Sequence, residues 1–139
     1  MGAGATGIGM SDVVTATGAS ASRLLMRDRD DIARAVTAAL YAAVPELLER
    51  HGERGRDKCV QDMHYTIDHL IPAVDFGDPA MFSRYVEWLD GVLRARNVDT
   101  RDVVRCLELL QDQCAERFPQ SEADAIGAIL DAGVAVFAG

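Results

Sequence analysis

The chain has little of what small catalytic or metal-binding proteins are usually built on. Histidine occurs only at His51, His64 and His69, and Lys58 is the one lysine. Histidines confined to positions 51–69 cannot surround a metal from several sides, and no Glu-x-x-His unit of a di-iron bundle occurs. Gly-x-Ser-x-Gly and Gly-x-x-x-x-Gly-Lys are missing, which removes the nucleophile elbow and the phosphate loop. Cys59, Cys106 and Cys114 cannot all pair within one chain and show no zinc-ligand spacing, so the expected setting is a reducing cytoplasm. No apolar run approaches the roughly 20 residues that cross a bilayer, and no segment alternates with period two for long enough to make a strand. Positive charge is scarce as well: 22 acidic residues face 14 basic ones, a net charge of −8. The one basic cluster, Arg50 to Lys58, is interleaved with Glu53 and Asp57, so neither nucleic acid nor a membrane is an expected partner.

What is present fits one domain, since 139 residues supply one hydrophobic core and not two. Residues 1–21, rich in Gly, Ala, Ser and Thr, read as a mobile leader, with a helical domain over 22–139. Gly2, Gly4 and Gly7 satisfy Gly-x-Gly-x-x-Gly, but no strand can precede position 2 to make it a dinucleotide site. Gly2 with Thr6 fits an N-myristoylation pattern, which has little meaning in a chain of bacterial appearance.

From Arg27 onward the apolar period is helical. Ile32, Val36, Leu40 and Ala43 mark a first helix, and Pro45 to Arg50 a short second piece ending at Gly52. A long helix is expected from Arg56 to Val74, kinked or shortened by Pro72, and Gly77-Asp78-Pro79 combines a stop with a new start. Pro79 to Arg96 carries a wide apolar face of Phe82, Tyr85, Val86, Leu89 and Leu93, with Trp88 at its edge. A helix capped by Asp99 or Thr100 runs to Phe118, and a last one, capped by Ser121, to Phe137. The fold class is all-α: a single domain of about five main helices in an antiparallel bundle, with a globin-like arrangement among its forms.

Chemistry-bearing side chains gather only between Cys59 and His69. At 100° per residue Asp62, Tyr65 and His69 share one side of a helix, with Cys59 a turn earlier and His64 toward the apolar flank. One reading is structural: His64 pairs with Asp68, His69 meets a carbonyl or a tyrosine, and Asp62 bridges to Arg84 or Arg56. A second places His64 or His69 against a cavity lined by Phe82, Tyr85 and Trp88, as ligand to haem or another tetrapyrrole. A third makes Cys59, Asp62 and His69 a small enzyme. His51, beside Gly52, reads as a helix cap. The candidate ligand-binding residues are therefore His64, His69, Asp62, Tyr65, Phe82, Tyr85 and Trp88, with no catalytic residue and no metal ligand assigned.

Gly52-x-Arg54-Gly55-Arg56, Cys59, Asp62, His64-Tyr65, Gly77-Asp78-Pro79, Phe82, Tyr85-Val86-x-Trp88-Leu89 and Arg96 together resemble an uncharacterised bacterial all-helical sensory or regulatory domain often found beside cobalamin-binding modules. The resemblance implies sensing or assembly without an established reaction. No Asp-x-His-x-x-Gly of a cobalamin module occurs. The expectation is a non-enzymatic sensory, regulatory or scaffolding domain without a cofactor, acting through protein contacts as a homodimer or with another protein. The tetrapyrrole-binding and small-enzyme readings stand as its alternatives.

Overall fold

Five helices account for nearly all of residues 9–138, the part of the chain that the computed structural model describes: α1 (Met10–Ala43), α2 (Glu46–Phe76), α3 (Pro79–Ala95), α4 (Thr100–Arg117) and α5 (Gln120–Ala135). The Gly2, Gly4 and Gly7 pattern and the Gly2 and Thr6 pair lie outside the described residues. The all-helical class is as the periodicity predicts.

Several boundaries differ from the sequence reading. α1 begins at Met10, well inside the segment read as a leader. Its buried stripe there is made of small residues, Gly18, Ala21 and Ser22, before Leu25, so the period is present without the bulky side chains that announce it. Small residues let α2 approach closely, and the Ser22 hydroxyl donates to Asp75 Oδ1 at 3.1 Å. The pieces expected either side of Gly52 are one helix with a break, where Gly52 takes φ 68° and ψ −171°, a conformation open to glycine alone. Pro72 does not stop α2. It ends at Phe76, where Gly77 and Asp78 donate backbone N–H bonds to the Val74 and Ala73 carbonyls. Asp99 caps α4 by accepting from the Arg101 N–H at 2.8 Å. Ser121 does not cap α5: Pro119 holds the capping position, and the Ser121 hydroxyl turns to Glu122.

α1 and α2 are antiparallel, as three cross-helix pairs show. Ser22 meets Asp75, Arg29 meets Asp68, and Thr37 meets Cys59, the numbers rising on one helix as they fall on the other. Leu25, Ile32 and Val36 of α1, Ile67 and Leu70 of α2, Phe82 and Val86 of α3, Leu107 and Leu110 of α4, and Ile126 and Leu130 of α5 are fully buried in one core. Each such side chain contributes about 1.5–3 kcal/mol relative to exposure. Leu40, Tyr41, Val44 and Leu47 form a second, smaller apolar cluster where α1 turns into α2. α1 and α3 each pack on both α2 and α4, yet α2 and α4 nowhere approach within 8 Å, Cα to Cα, among the described residues. The space left between them is a cavity.

Candidate ligand-binding site

The cavity measures about 550 Å³ and has walls from four helices. This lies within the range of roughly 300–1,000 Å³ typical of small-molecule and cofactor sites. Leu40, Leu47, Leu89, Leu93, Val103 and Leu107 make it largely apolar. The α2 wall is a stripe at three- and four-residue steps: Leu47, His51, Arg54, Lys58, Cys59, Asp62, Met63 and Thr66. A smaller hollow of about 280 Å³ adjoins it, lined by Tyr65, Tyr85, Trp88 and Val92. Lys58, Asp62, Leu89 and Arg96 line both.

Asp62 and Arg96 form an ion pair at this junction, with Nη2 donating to both carboxylate oxygens at 3.3 Å. Burial pushes the Asp62 carboxyl above the usual carboxylate range against the opposing pull of Arg96. One turn on, the Thr66 hydroxyl gives its proton to the Asp62 carbonyl at 3.0 Å, so the Tyr85 hydroxyl, also at 3.0 Å, must donate to Thr66. Burial raises Tyr85 to about 12, and it stays a protonated donor.

Two thiols face the cavity from opposite walls, Cys59 on α2 and Cys106 on α4. The neighbouring Cys106 thiol holds the Cys59 thiol below the usual value, while Cys59 and burial push Cys106 well above. Thr37 contributes less: its hydroxyl oxygen, with one proton to give, lies 2.9 Å from the Ala33 carbonyl oxygen and 3.5 Å from the Cys59 sulfur. Their helices are too far apart for the roughly 7 Å limit of a disulfide without backbone movement. Of the two thiols that line the cavity, Cys59 is the one held toward ionisation.

The expected residues divide between the cavities and their surroundings. Asp62 lines both, and Tyr65, Tyr85 and Trp88 line the smaller. Phe82 is fully buried in the main core instead. Neither His64 nor His69 lines either of these two cavities, which corrects the expected tetrapyrrole ligands. His64 pairs with Asp30 at 2.9 Å, across to α1, and leaves Asp68 to Arg29. His69 stacks on Tyr85 with ring centroids 4.1 Å apart, and its Nδ1 donates to the Tyr65 carbonyl at 2.8 Å. The Cys59, Asp62 and His69 constellation is therefore not assembled, and Asp62 has Arg96 as its partner in place of Arg84 or Arg56.

Sequence reasoning missed Lys58, Arg96, Cys106 and His51. The α2 stripe was a signal, since Arg54, Lys58 and Asp62 recur every four residues. Arg96 and Cys106 join only through the fold. His51, read as a cap, is a cavity residue whose Nε2 is buried without a hydrogen-bond partner, and so is Nε of Arg96. Unpaired buried donors and acceptors of this kind are costly in a wall with nothing to meet. Together with a nucleophilic thiol, the cations Arg54, Lys58 and Arg96 and an apolar lining, they suit a large, flat, partly acidic cofactor.

A family model described as phycobilisome protein matches residues 15–135. No curated protein matches the chain. The fold of that family is globin-like, in agreement with the helical bundle. The match overturns the resemblance to a sensory domain near cobalamin modules, and with it the sensory, regulatory and signalling reading of the chain. Caps and core aromatics, which carried that resemblance, are demanded by any such bundle.

Proposed function

The chain belongs to the phycobilisome protein family, and on that premise we propose that it binds an open-chain tetrapyrrole in the cavity between α2 and α4, with Cys59 as the covalent attachment point. Phycobilisome proteins carry covalently bound bilin tetrapyrroles and assemble into oligomers with other phycobiliproteins. The tetrapyrrole alternative thus replaces the expectation of no cofactor, with Cys59 in place of His64 or His69. The observation that carries this reading is Cys59 itself: a thiol of lowered pKa on the wall of an apolar cavity of cofactor size. A bound bilin would supply an extended conjugated system that absorbs visible light. The protein's part is to hold and shape it. Leu89, Leu93 and Val103 exclude water, Asp62 offers a carboxylate to polar N–H groups, and Cys106 keeps Cys59 reactive.

Trp88, 61% exposed on α3, supports assembly through this face, as a homodimer or with related chains. A reducing cytoplasmic setting, suited to three free cysteines, belongs to the same reading.

The test is to produce the protein with a linear tetrapyrrole and follow pigment through denaturing electrophoresis. Pigment should stay on the wild-type chain and be lost from Cys59→Ala while Cys106→Ala retains it in part. An absorbance spectrum identical to free pigment would overturn the reading.

A further inference from the structure

Two polar groups in the wall of the larger cavity make no hydrogen bond among the described residues, the Tyr41 hydroxyl and Nε2 of His51. Nε2 is fully buried, and Tyr41, near the end of α1, is 9% exposed. Both converge on Gly55. A β-carbon there would collide with the β-carbon of His51 and stand 3.4 Å from its Cγ and 3.6 Å from the Tyr41 hydroxyl oxygen. In an unbroken helix, β-carbons four residues apart are about 5–6 Å from each other. The break at Gly52, which lies between His51 and Gly55, removes that spacing and folds His51 over Gly55, where the missing side chain makes room for it.

The place and the chemistry of this pair suit one kind of group. Gly55 lies one turn before Cys59 on the same wall of the cavity. Tyr41 stays a protonated donor, because burial, and after it the nearby Cys59, push its pKa up. An imidazole with its proton on Nδ1 accepts a hydrogen bond at Nε2. A donor and an acceptor side by side are the complement of a lactam, which presents a carbonyl oxygen and an N–H on one edge. An open-chain tetrapyrrole ends in two such rings, and a closed one such as haem has none.

We infer that Tyr41 and His51 are positioning residues that hold the terminal lactam of the ring nearest Cys59, Tyr41 donating to its carbonyl and His51 Nε2 accepting from its N–H. This rests on the tetrapyrrole reading and adds a demand to it: the ligand must be an open chain with a free terminal lactam. Held by that edge, the end ring has its remaining face turned along the wall toward the Cys59 sulfur.

The test compares biliverdin with its bis-lactim methyl ether, which keeps the skeleton and the carboxylates and lacks the terminal carbonyl and N–H. Affinity is read from quenching of Trp88, the single tryptophan, which lines the smaller hollow. Wild type is expected to bind biliverdin about tenfold or more tightly than the ether, the scale of two hydrogen bonds. Tyr41→Phe should weaken biliverdin about fivefold, leave the ether within about twofold, and raise the infrared stretching frequency of the bound lactam carbonyl. His51→Leu should weaken biliverdin alike while the ligand-free protein unfolds at no lower urea concentration, since a buried nitrogen without a partner is gone. Equal wild-type affinities for the two ligands, which need no variant to measure, would overturn the proposal while the tetrapyrrole reading stood. Loss of stability in place of affinity in His51→Leu would overturn it too, making His51 a structural residue. If neither ligand binds wild type, the tetrapyrrole reading fails and the lactam site with it.

Discussion

Cys59 and Cys106 are chemically unlike although they line the same cavity. The Cys106 thiol favours the Cys59 thiolate, while Cys59 and burial hold Cys106 protonated. Because the thiolate is the nucleophile, the alkylation rate of Cys59 reports its ionisation. Iodoacetamide labelling followed by mass spectrometry should show Cys59 half-maximal below the ordinary thiol value of 9.0, with Cys106→Ala moving the midpoint up. Cys114, pushed to about 12 by burial in the core, should label last. Labelling of Cys59 on the same pH profile in both proteins would remove Cys106 from its role.

Between elements, α5 packs closely onto α3 at Gly133. A β-carbon at Gly133 would stand 2.6 Å from Phe82 Cε2 and 3.1 Å from Val86 Cγ2, and Phe82 is fully buried with no room to retreat. Alanine at a helical position gains up to about 1 kcal/mol over glycine in propensity. Overpacking costs about 1–3 kcal/mol and should win. Gly133→Ala is therefore expected to lower stability by about 1–2 kcal/mol in urea titrations, with an unchanged slope. This contact holds Phe82 in the core and lets α3 present Tyr85, Leu89 and Leu93 in order toward the cavities.

For the molecule as a whole, surface carboxylates paired with arginine set how stability responds to acid. Hydrogen bonds from Arg34, Arg29 and Arg101 hold Asp30, Asp68 and Asp99, respectively, below the usual range. A carboxyl whose folded pKa is depressed contributes stability that is present above its unfolded value, near 3.8, and lost as pH falls through the folded one. Stability in urea should therefore fall below about pH 4. Asp68→Asn should cost about 0.5 kcal/mol at pH 7, the modest worth of an exposed pair, and match wild type at the acid end. A gap that persists at low pH would mean that Asp68 acts through packing. Asp62, raised by burial, has the opposite sign, so its ionised form costs stability as pH rises through that range. The cavity keeps a group whose charge the fold alone does not favour.

The sequence by itself determined the helices, because periodicity and end signals act within a few residues: Ile67, Leu70 and Val74 on one face, Phe82, Val86 and Leu89 on the next, and Gly77-Asp78-Pro79 between them. It also placed Cys59 and Asp62 on one side of a single helix. The start of α1 escaped it, since the stripe of Gly18, Ala21 and Ser22 gains meaning only from the backbone packed against it. Ion pairs across helices escaped it as well: His64 chose Asp30 over Asp68, and Asp62 chose Arg96, 34 positions away. Whether a polar stripe on a helix meets water, a neighbouring helix or an enclosed hollow depends on how far apart two non-adjacent helices stand. Only the tertiary structure decided that α2 and α4 part, because their separation is set by what α1 and α3 pack between them and by no local preference of either chain segment.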